Sequence, residues 1–197
     1  MEVFNLFCNK LPRNASVLDF GCGHGVPFTK ELVKKSFEVN AIDISDTMIK
    51  AAKKNVPEEK YAKVSMTDIN VRNEFDVIYF VYSMRWLAFN NFEIAARKAV
   101  NSLKQGGFFF LAFNEPHPAW HNECENYAEI MGQKIYSRPY TIDEVKEVFA
   151  ELNMKIIKVA RETVSSKAYG EEHTLLVFMK KLRSIPTAFQ ICEVDPK

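Results

Sequence analysis

The chain has 197 residues, 47% of them hydrophobic, which is enough for the core of one compact domain. Its 26 lysine and arginine residues nearly balance 25 acidic residues, and the net charge of +1 does not favour a polyanionic partner such as nucleic acid. The four cysteines are scattered without metal-ligand spacing, and no apolar run approaches the roughly 20 residues that span a bilayer. We therefore expect a cytoplasmic protein with no metal site and no membrane segment, whose oligomeric state the sequence leaves open.

Short apolar runs alternate with helical patterns from Ser16 onward, which is typical of a sheet covered by helices on both faces. Pro27 suits the first turn of a helix, Ser45 can cap the next helix, and Gly106-Gly107 is expected to end the helix before the fifth strand. The runs that predict the first five strands are residues 16–20, 37–43, 62–65, 75–81 and 107–114.

The second half of the chain begins with a less regular segment, residues 115–140. Thr141 and Glu144 then form a capping box for a further helix. Residues 154–164 and 173–180 predict an antiparallel hairpin at the edge of the sheet. The pattern predicts a single α/β domain, a three-layer α-β-α sandwich with a short N-terminal helix within residues 1–14, a core of residues 15–181 and an unassigned tail of residues 182–197.

The most informative stretch follows the first strand, where the sequence reads Asp19-Phe20-Gly21-Cys22-Gly23-His24-Gly25. Glycines allow a sharp turn and let a ligand lie against the backbone. Asp43 ends the second strand, from where a carboxylate can accept hydrogen bonds from both hydroxyls of a ribose. The implied ligand is a nucleoside. The D-x-G-x-G-x-G spacing differs from the G-x-G-x-x-G of dinucleotide sites and disfavours NAD.

With these residues, the chain resembles the class I methyltransferases over about residues 15–181, especially the small bacterial enzymes of the ubiquinone-biosynthesis and tellurite-resistance type. The resemblance implies a seven-stranded, mostly parallel sheet with an antiparallel terminal strand. It also implies that S-adenosylmethionine binds across the carboxyl ends of the first, second and fourth strands and leaves as S-adenosylhomocysteine. The cofactor-binding residues predicted on this basis are Asp19, Gly21, Cys22, Gly23, Gly25, Asp43, Ile44, Met48, Thr67, Asp68, Ile69, Phe80 and Val81.

The resemblance also implies roles within that set. The glycine turn is expected to face the methionine moiety, and Asp43 to bind the ribose. Ile44 and Met48 are expected to flank the adenine, whose amino group meets Asp68 in the segment Met66-Thr67-Asp68-Ile69. The residues at the end of the fourth strand, Phe80 and Val81, are expected to line the methionine end.

Two departures from the family pattern bear on the acceptor. Such enzymes commonly carry additional N-terminal helices that cover the cofactor, whereas only residues 1–14 precede the first strand here. The N/D-P-P-Y motif is absent after the fourth strand, where Tyr82-Ser83-Met84-Arg85-Trp86 stands instead. Methylation of an adenine amino group in nucleic acid therefore loses support.

The acceptor is expected near the loops after the fourth and fifth strands, because open α/β sheets bind ligands beyond their carboxyl ends. His117 is the candidate general base, since histidine titrates near neutral pH, although an exposed loop histidine without a role explains it equally well. Candidate substrate residues are Tyr82, Arg85, Trp86, Asn114, Trp120, Arg138 and Tyr140. We expect methyl transfer to a nitrogen, oxygen or sulfur of a small molecule; the alternatives are a protein side-chain methyltransferase and a non-catalytic domain that binds the cofactor.

Overall fold

The computed structural model describes residues 2–116, 127–130, 133–166 and 170–183. The helices in these ranges are α1 (Glu2–Cys8), α2 (Phe28–Lys34), α3 (Asp46–Asn55), α4 (Phe89–Ser102) and α5 (Ile142–Ala150), with a 3-10 turn at Met84–Trp86. The strands are β1 (Ser16–Phe20), β2 (Glu38–Asp43), β3 (Lys60–Lys63), β4 (Phe75–Val81), β5 (Leu103–Asn114), β6 (Tyr127–Ile130), β7 (Gln133–Tyr136), β8 (Met154–Ser166) and β9 (Gly170–Lys181).

The main sheet has seven strands in the order β3-β2-β1-β4-β5-β9-β8. Strands β1 to β5 pair in parallel, and β9 is antiparallel to both β5 and β8. The mostly parallel seven-stranded sheet with an antiparallel terminal strand is therefore confirmed. Its topology brings the ends of β1, β2 and β4 together at one edge, which is where open α/β sheets bind ligands.

Apolar clusters cover both faces of the sheet. On one face, α4 and α5 bury Phe92 and Phe149 against β4 and β5. On the other face, α1 buries Phe4 and Phe7, and α2 buries Leu32. The central strands are apolar on both sides because neither face of β4 or β5 meets solvent. None of the helices in the described ranges is long and apolar enough to cross a membrane.

The strand bounds correct several predictions. Strand β2 begins at Glu38, and β3 occupies Lys60–Lys63 instead of residues 62–65. Strand β5 begins at Leu103, so the prediction that Gly106-Gly107 ends the preceding helix is wrong. The pairing of β5 with β4 jumps between Phe75 and Val77, which places these glycines in an irregularity within the strand. The segment predicted as irregular also contains the ribbon formed by β6 and β7.

The second half of the main sheet follows the prediction closely. Thr141 and Glu144 form the expected capping box, with the Thr141 hydroxyl accepting from the Glu144 amide and the Glu144 carboxylate accepting from the Thr141 amide. The predicted hairpin is confirmed as β8 and β9, and it lies at the edge of the sheet.

The C-terminal end of α4 is satisfied by a buried lysine from the last strand. The Lys181 ammonium donates hydrogen bonds to the carbonyl oxygens of Val100 (2.7 Å) and Leu103 (2.6 Å). A cation at this position also complements the partial negative charge of the helix end. Burial lowers the pKa of Lys181. The end of this helix, which the sequence analysis assigned to Gly106-Gly107, is thus capped by the Lys181 ammonium.

We predict that Lys181→Met lowers the free energy of unfolding by about 1–3 kcal/mol, because two carbonyl groups lose the hydrogen bond from the ammonium. Urea unfolding followed by circular dichroism measures the change. Lys180→Met is the matched control, since Lys180 is exposed, and it should change stability by no more than about 0.5 kcal/mol. Equal effects of the two substitutions would contradict the capping role.

Candidate functional site

The glycine turn is held by the end of the neighbouring strand β2. The amides of Gly21 and Cys22 both donate to the carbonyl oxygen of Ile42, at 2.9 Å each. The Gly23 amide donates to Asp43 Oδ2 (2.9 Å). The structure therefore brings together the turn and the acidic residue that the sequence singles out.

The Asp43 carboxylate also fixes the start of α3. Its Oδ1 accepts from the amide of Ser45 (2.9 Å), and Ser45 in turn caps α3 by accepting from the Met48 amide. An ionised carboxylate offers about four lone-pair sites, and these two backbone bonds use one on each oxygen. Asp43 is partly exposed and so retains capacity for two more donors.

The glycines of the turn differ in what surrounds them. Gly21 has φ +91°, and a Cβ placed there would collide with Met66 Cε and would lie 2.6 Å from Ser83 Cβ. Gly23 has φ +55°, but a Cβ there would meet nothing within 4 Å. Gly21 is thus required by the packing of the chain itself, whereas Gly23 faces open space beside Asp43.

The end of β4 is tied to the end of β1. Ser83, which is buried, donates its hydroxyl to the carbonyl oxygen of Phe20 (2.8 Å). Tyr82 precedes it with φ +57°, a left-handed conformation that is unusual for a bulky residue and often marks a functional site. Sequence reasoning placed Tyr82 near the acceptor but missed the locking role of Ser83, because a serine in a loop gives no signal of its own.

A buried acid lies directly behind the turn. Asp19 is 3% exposed, and its Oδ2 accepts the Thr29 hydroxyl (2.6 Å) from α2. Burial raises the pKa of Asp19 to about 7, the Thr29 hydrogen bond opposes that rise, and the charge of Asp43 adds to it. Sequence reasoning missed Thr29, whose partner lies ten residues earlier on a strand.

The thiol of Cys22 lies in the same turn. Burial, together with the charges of Asp19 and Asp43, raises its pKa well above the usual range. The thiol therefore stays protonated near neutral pH and is a poor nucleophile.

Two apolar side chains stand exposed next to Asp43. Ile44 is 68% exposed and Met48 is 42% exposed. Both belong to the predicted adenine-flanking set. An exposed aliphatic pair beside a carboxylate with spare acceptor capacity fits a nucleoside, whose ring is apolar on its faces and whose sugar donates hydrogen bonds.

The remaining predicted cofactor residues divide into surface and core positions. Asp68 is exposed, and its Oδ1 accepts the hydroxyl of Thr67 (3.2 Å). Ile69 is 7% exposed, Phe80 is fully buried, and Val81 is 9% exposed. The Ile69 and Phe80 side chains pack in the core, so their contribution to a ligand site is limited to their backbone.

The predicted acceptor residues are drawn together by a contact between two loops. Arg85 lies over the Trp86 ring, with its Cζ 4.9 Å from the ring centroid, and donates to the Ser137 hydroxyl from Nε (3.2 Å) and Nη2 (2.9 Å). The Arg138 amide donates to the Arg85 carbonyl oxygen (2.8 Å). Asn114 and Tyr82 meet at a second point, where the Asn114 amide (3.5 Å) and the Tyr82 hydroxyl (3.4 Å) both donate to the Thr174 hydroxyl on β9.

Arg138 and Tyr140 are occupied by structural contacts. Arg138 pairs with Glu144 and lies over the Tyr140 ring, 4.5 Å from its centroid. Tyr140 is 1% exposed and donates its hydroxyl to the carbonyl oxygen of Leu87 (2.9 Å). The prediction that the Tyr140 side chain contacts a substrate is therefore corrected: it is a core residue.

The candidate base His117 and the candidate substrate residue Trp120 lie outside the described residues. Within the described ranges there is no group of three or more His, Cys, Asp or Glu side chains arranged to hold a metal ion.

We predict that Asp19→Asn stabilises the protein more at pH 8 than at pH 5. The unfolded carboxyl ionises near pH 4 and the folded one near pH 7. Between these values only the folded state holds the proton, so this group's contribution to the free energy of unfolding falls as the pH rises. The Asp19→Asn variant has no such carboxyl. The difference in the free energy of unfolding between the variant and the wild type should therefore grow, in favour of the variant, by about 2–3 kcal/mol from pH 5 to pH 8.

Urea unfolding at both pH values measures this difference. Asp68→Asn is the control, because the Asp68 carboxyl is exposed, and it should show no such gain. An advantage of Asp19→Asn that does not change with pH would mean that Asp19 is ionised throughout this range.

Comparison with known proteins gives the family. A family model described as a methyltransferase domain matches residues 2–159. The chain is 27% identical over 154 residues to the malonyl-[acyl-carrier protein] O-methyltransferase of Priestia megaterium, a match that covers 73% of this chain and 55% of that protein. The chain thus spans about half the length of this curated relative.

Solved structures agree on the fold. A S-adenosylmethionine-dependent methyltransferase from Methanosarcina mazei matches with a TM-score of 0.77 at 16% identity, covering 91% of this chain and 98% of that chain. The 1,6-didemethyltoxoflavin-N1-methyltransferase of Burkholderia thailandensis matches with a TM-score of 0.68 at 17% identity, covering 92% and 76% of the two chains. Because the family model spans most of the chain, the protein belongs to the methyltransferase-domain family, whose cofactor is S-adenosylmethionine.

Proposed function

We propose that the protein transfers the methyl group of S-adenosylmethionine to a nitrogen, oxygen or sulfur atom of a small molecule. The observation that carries the proposal is the Asp43 carboxylate, which holds the glycine turn and α3 through two backbone amides and keeps acceptor capacity for a ribose. The name of one similar protein, a 1,6-didemethyltoxoflavin-N1-methyltransferase, supports a small acceptor, and the name of the other, a malonyl-[acyl-carrier protein] O-methyltransferase, supports a small acyl group carried on a protein. They differ in the atom, so the proposal leaves the atom open.

In this proposal, the residues around the turn bind and orient the cofactor. Asp43 accepts from the ribose hydroxyls, Ile44 and Met48 flank the adenine, and Asp68 accepts from its amino group. Gly23 leaves open space beside the turn for the methionine moiety. When bound, S-adenosylmethionine supplies an electrophilic methyl group on a sulfonium.

The proposed role of the acceptor loops is alignment and exclusion of water, because displacement at a methyl carbon needs an in-line approach more than an elaborate catalytic group. The hydrogen bond from the Ser83 hydroxyl to the Phe20 carbonyl oxygen fixes the loop after β4 relative to the glycine turn. Tyr82, Arg85 and Trp86 on that loop would then contact the acceptor. His117 remains the proposed base for an acceptor that must lose a proton.

The test is an acceptor screen with methyl-labelled S-adenosylmethionine. Pools of carboxylic acids and alcohols, thiols, and amines are compared with a protein fraction from a cell extract. We expect label in one small-molecule pool. Label confined to the protein fraction, or stabilisation by S-adenosylhomocysteine without any transfer, would replace the proposal by one of the two alternatives.

Once the screen has found an acceptor, the kcat/KM of an Asp43 variant measures the contribution of this carboxylate. Asp43→Asn should lower kcat/KM by about 10- to 100-fold, since an amide replaces one carboxylate oxygen by a donor that repels ribose hydroxyl hydrogens and backbone amides. Asp46→Asn is the matched control, because Asp46 is exposed and pairs with Lys63. Its kcat/KM should stay within about twofold of the wild type. An unchanged Asp43→Asn enzyme would remove the ribose assignment.

We also predict that Gly23→Ala separates cofactor binding from folding. The positive φ should cost about 1–2 kcal/mol of stability, while the added methyl group enters the open space beside Asp43 and should weaken S-adenosylhomocysteine binding by about tenfold or more. Isothermal titration calorimetry and urea unfolding measure the two effects.

Gly170→Ala is the matched control for this variant, because Gly170 has φ +75° and equally open surroundings in the β8–β9 hairpin. It should lose similar stability and keep its affinity. If Gly23→Ala also keeps full affinity, the cofactor does not lie against the turn at this position.

A further inference from the structure

A small cavity of about 40 Å³ lies between the sheet and the helices α1 and α2. Its lining includes five aromatic rings and one carboxylate: Phe4, Phe28, Tyr79, Tyr82, Phe110 and Glu162. We call it the aromatic cavity. A water molecule needs a cavity of about 10–15 Å³, so the aromatic cavity has room for a group of a few heavy atoms.

The rings form a connected wall. Tyr79 and Phe110 stack with centroids 5.4 Å apart, and Phe4 meets Tyr79 edge-on at 5.7 Å. Phe28 lies 5.6 Å from Tyr82 and 6.3 Å from Tyr79. Aromatic faces carry partial negative charge and attract cations, most strongly where water is excluded.

The polar groups of the wall also suit a cation. Tyr79 lines the cavity and is 1% exposed. A ligand with an N–H group in the cavity would donate a hydrogen bond to the oxygen of its hydroxyl. Glu162 supplies a carboxylate to the lining, and its charge contributes to raising the pKa of Tyr82. Lys35 lies 5.9 Å from the Phe4 centroid but does not line the cavity.

The aromatic cavity adjoins the proposed cofactor site. Phe28 begins α2 directly after the glycine turn. Tyr82 precedes Ser83, whose Cβ lies 2.6 Å from the position of a Cβ on Gly21. A ligand in the cavity would therefore contact Tyr82, which lies on the loop that we assign to the acceptor.

We propose that the aromatic cavity binds an alkylammonium group of the methyl acceptor, with Glu162 as its counter-charge and the Tyr79 hydroxyl as its hydrogen-bond acceptor. The inference rests on the proposed function, because it names a chemical class of acceptor for that reaction. The ammonium is an anchor and not the nucleophile, since a protonated nitrogen has no lone pair to attack the methyl carbon. Another atom of the same molecule receives the methyl group.

The test measures binding without turnover. The melting temperature of the protein saturated with S-adenosylhomocysteine is recorded with 50 mM methylammonium chloride, with 50 mM sodium chloride, and with sodium chloride plus methanol, which is neutral and has the same number of heavy atoms. A two-heavy-atom ligand is limited to a Kd of the order of 10 mM. We expect methylammonium to raise the melting temperature by about 2–4 °C above both references.

Variants decide where the cation binds. Glu162→Gln and Tyr79→Phe should each lose most of the methylammonium shift, whereas Glu147→Gln should keep it, because Glu147 is an exposed acid on α5. Stabilisation of each variant by S-adenosylhomocysteine checks that it is folded and that the cofactor site is intact.

Two outcomes overturn the inference. In the first, methylammonium gives no more stabilisation than sodium chloride or methanol, which means that the cavity holds water only. In the second, the shift persists in Glu162→Gln and Tyr79→Phe, which places the cation elsewhere. A third result separates the two proposals. If S-adenosylhomocysteine does not stabilise the wild-type protein, but methylammonium raises the melting temperature of the wild type and not of Glu162→Gln, the proposed function is wrong and the cation site is supported.

Discussion

The site depends on one carboxylate at the tip of β2. Asp43 accepts the Gly23 amide on one oxygen and the Ser45 amide on the other, so the glycine turn and the start of α3 share a single anchor. The Ile42 carbonyl beside it holds two further amides of the turn. These bonds exist only because β1 and β2 pair in parallel with Phe20 opposite Ile42. The shape of the turn is therefore a consequence of strand pairing as much as of its glycines.

The other flank of the site is fixed in an equally specific way. Ser83 ties the end of β4 to the Phe20 carbonyl, and the space that a side chain at Gly21 would need is filled by Ser83 and Met66. Three strand ends thus meet with little room to shift, while Gly23 keeps open space in front of it. Strand ends that are fixed in this way suit a reaction whose main requirement is the alignment of two bound molecules.

The sequence was sufficient to predict the features that depend on residues close together in the chain. Strands β1 and β4 were predicted with their observed bounds because each is a short, mostly apolar run, and the turn with Asp43 was recognisable from glycine spacing. The start of β5 was not, because Gly106-Gly107 has the composition of a helix end and only the pairing with β4 shows a strand. The aromatic cavity is invisible in the sequence, since α1, α2, β4, β5 and β8 each contribute part of its wall.

The order of strands at the far edge of the sheet constrains how the chain assembles. Strand β8 precedes β9 in the chain, yet within the main sheet β8 pairs only with β9, and β9 alone joins it to β5. During synthesis β8 therefore emerges before it has any neighbour to pair with, and β5 still presents an open edge. The two last strands are expected to form their hairpin first and to add to the sheet as a unit. Because Lys181 lies on β9, we expect the end of α4 to gain the lysine's hydrogen bonds only when this hairpin joins β5.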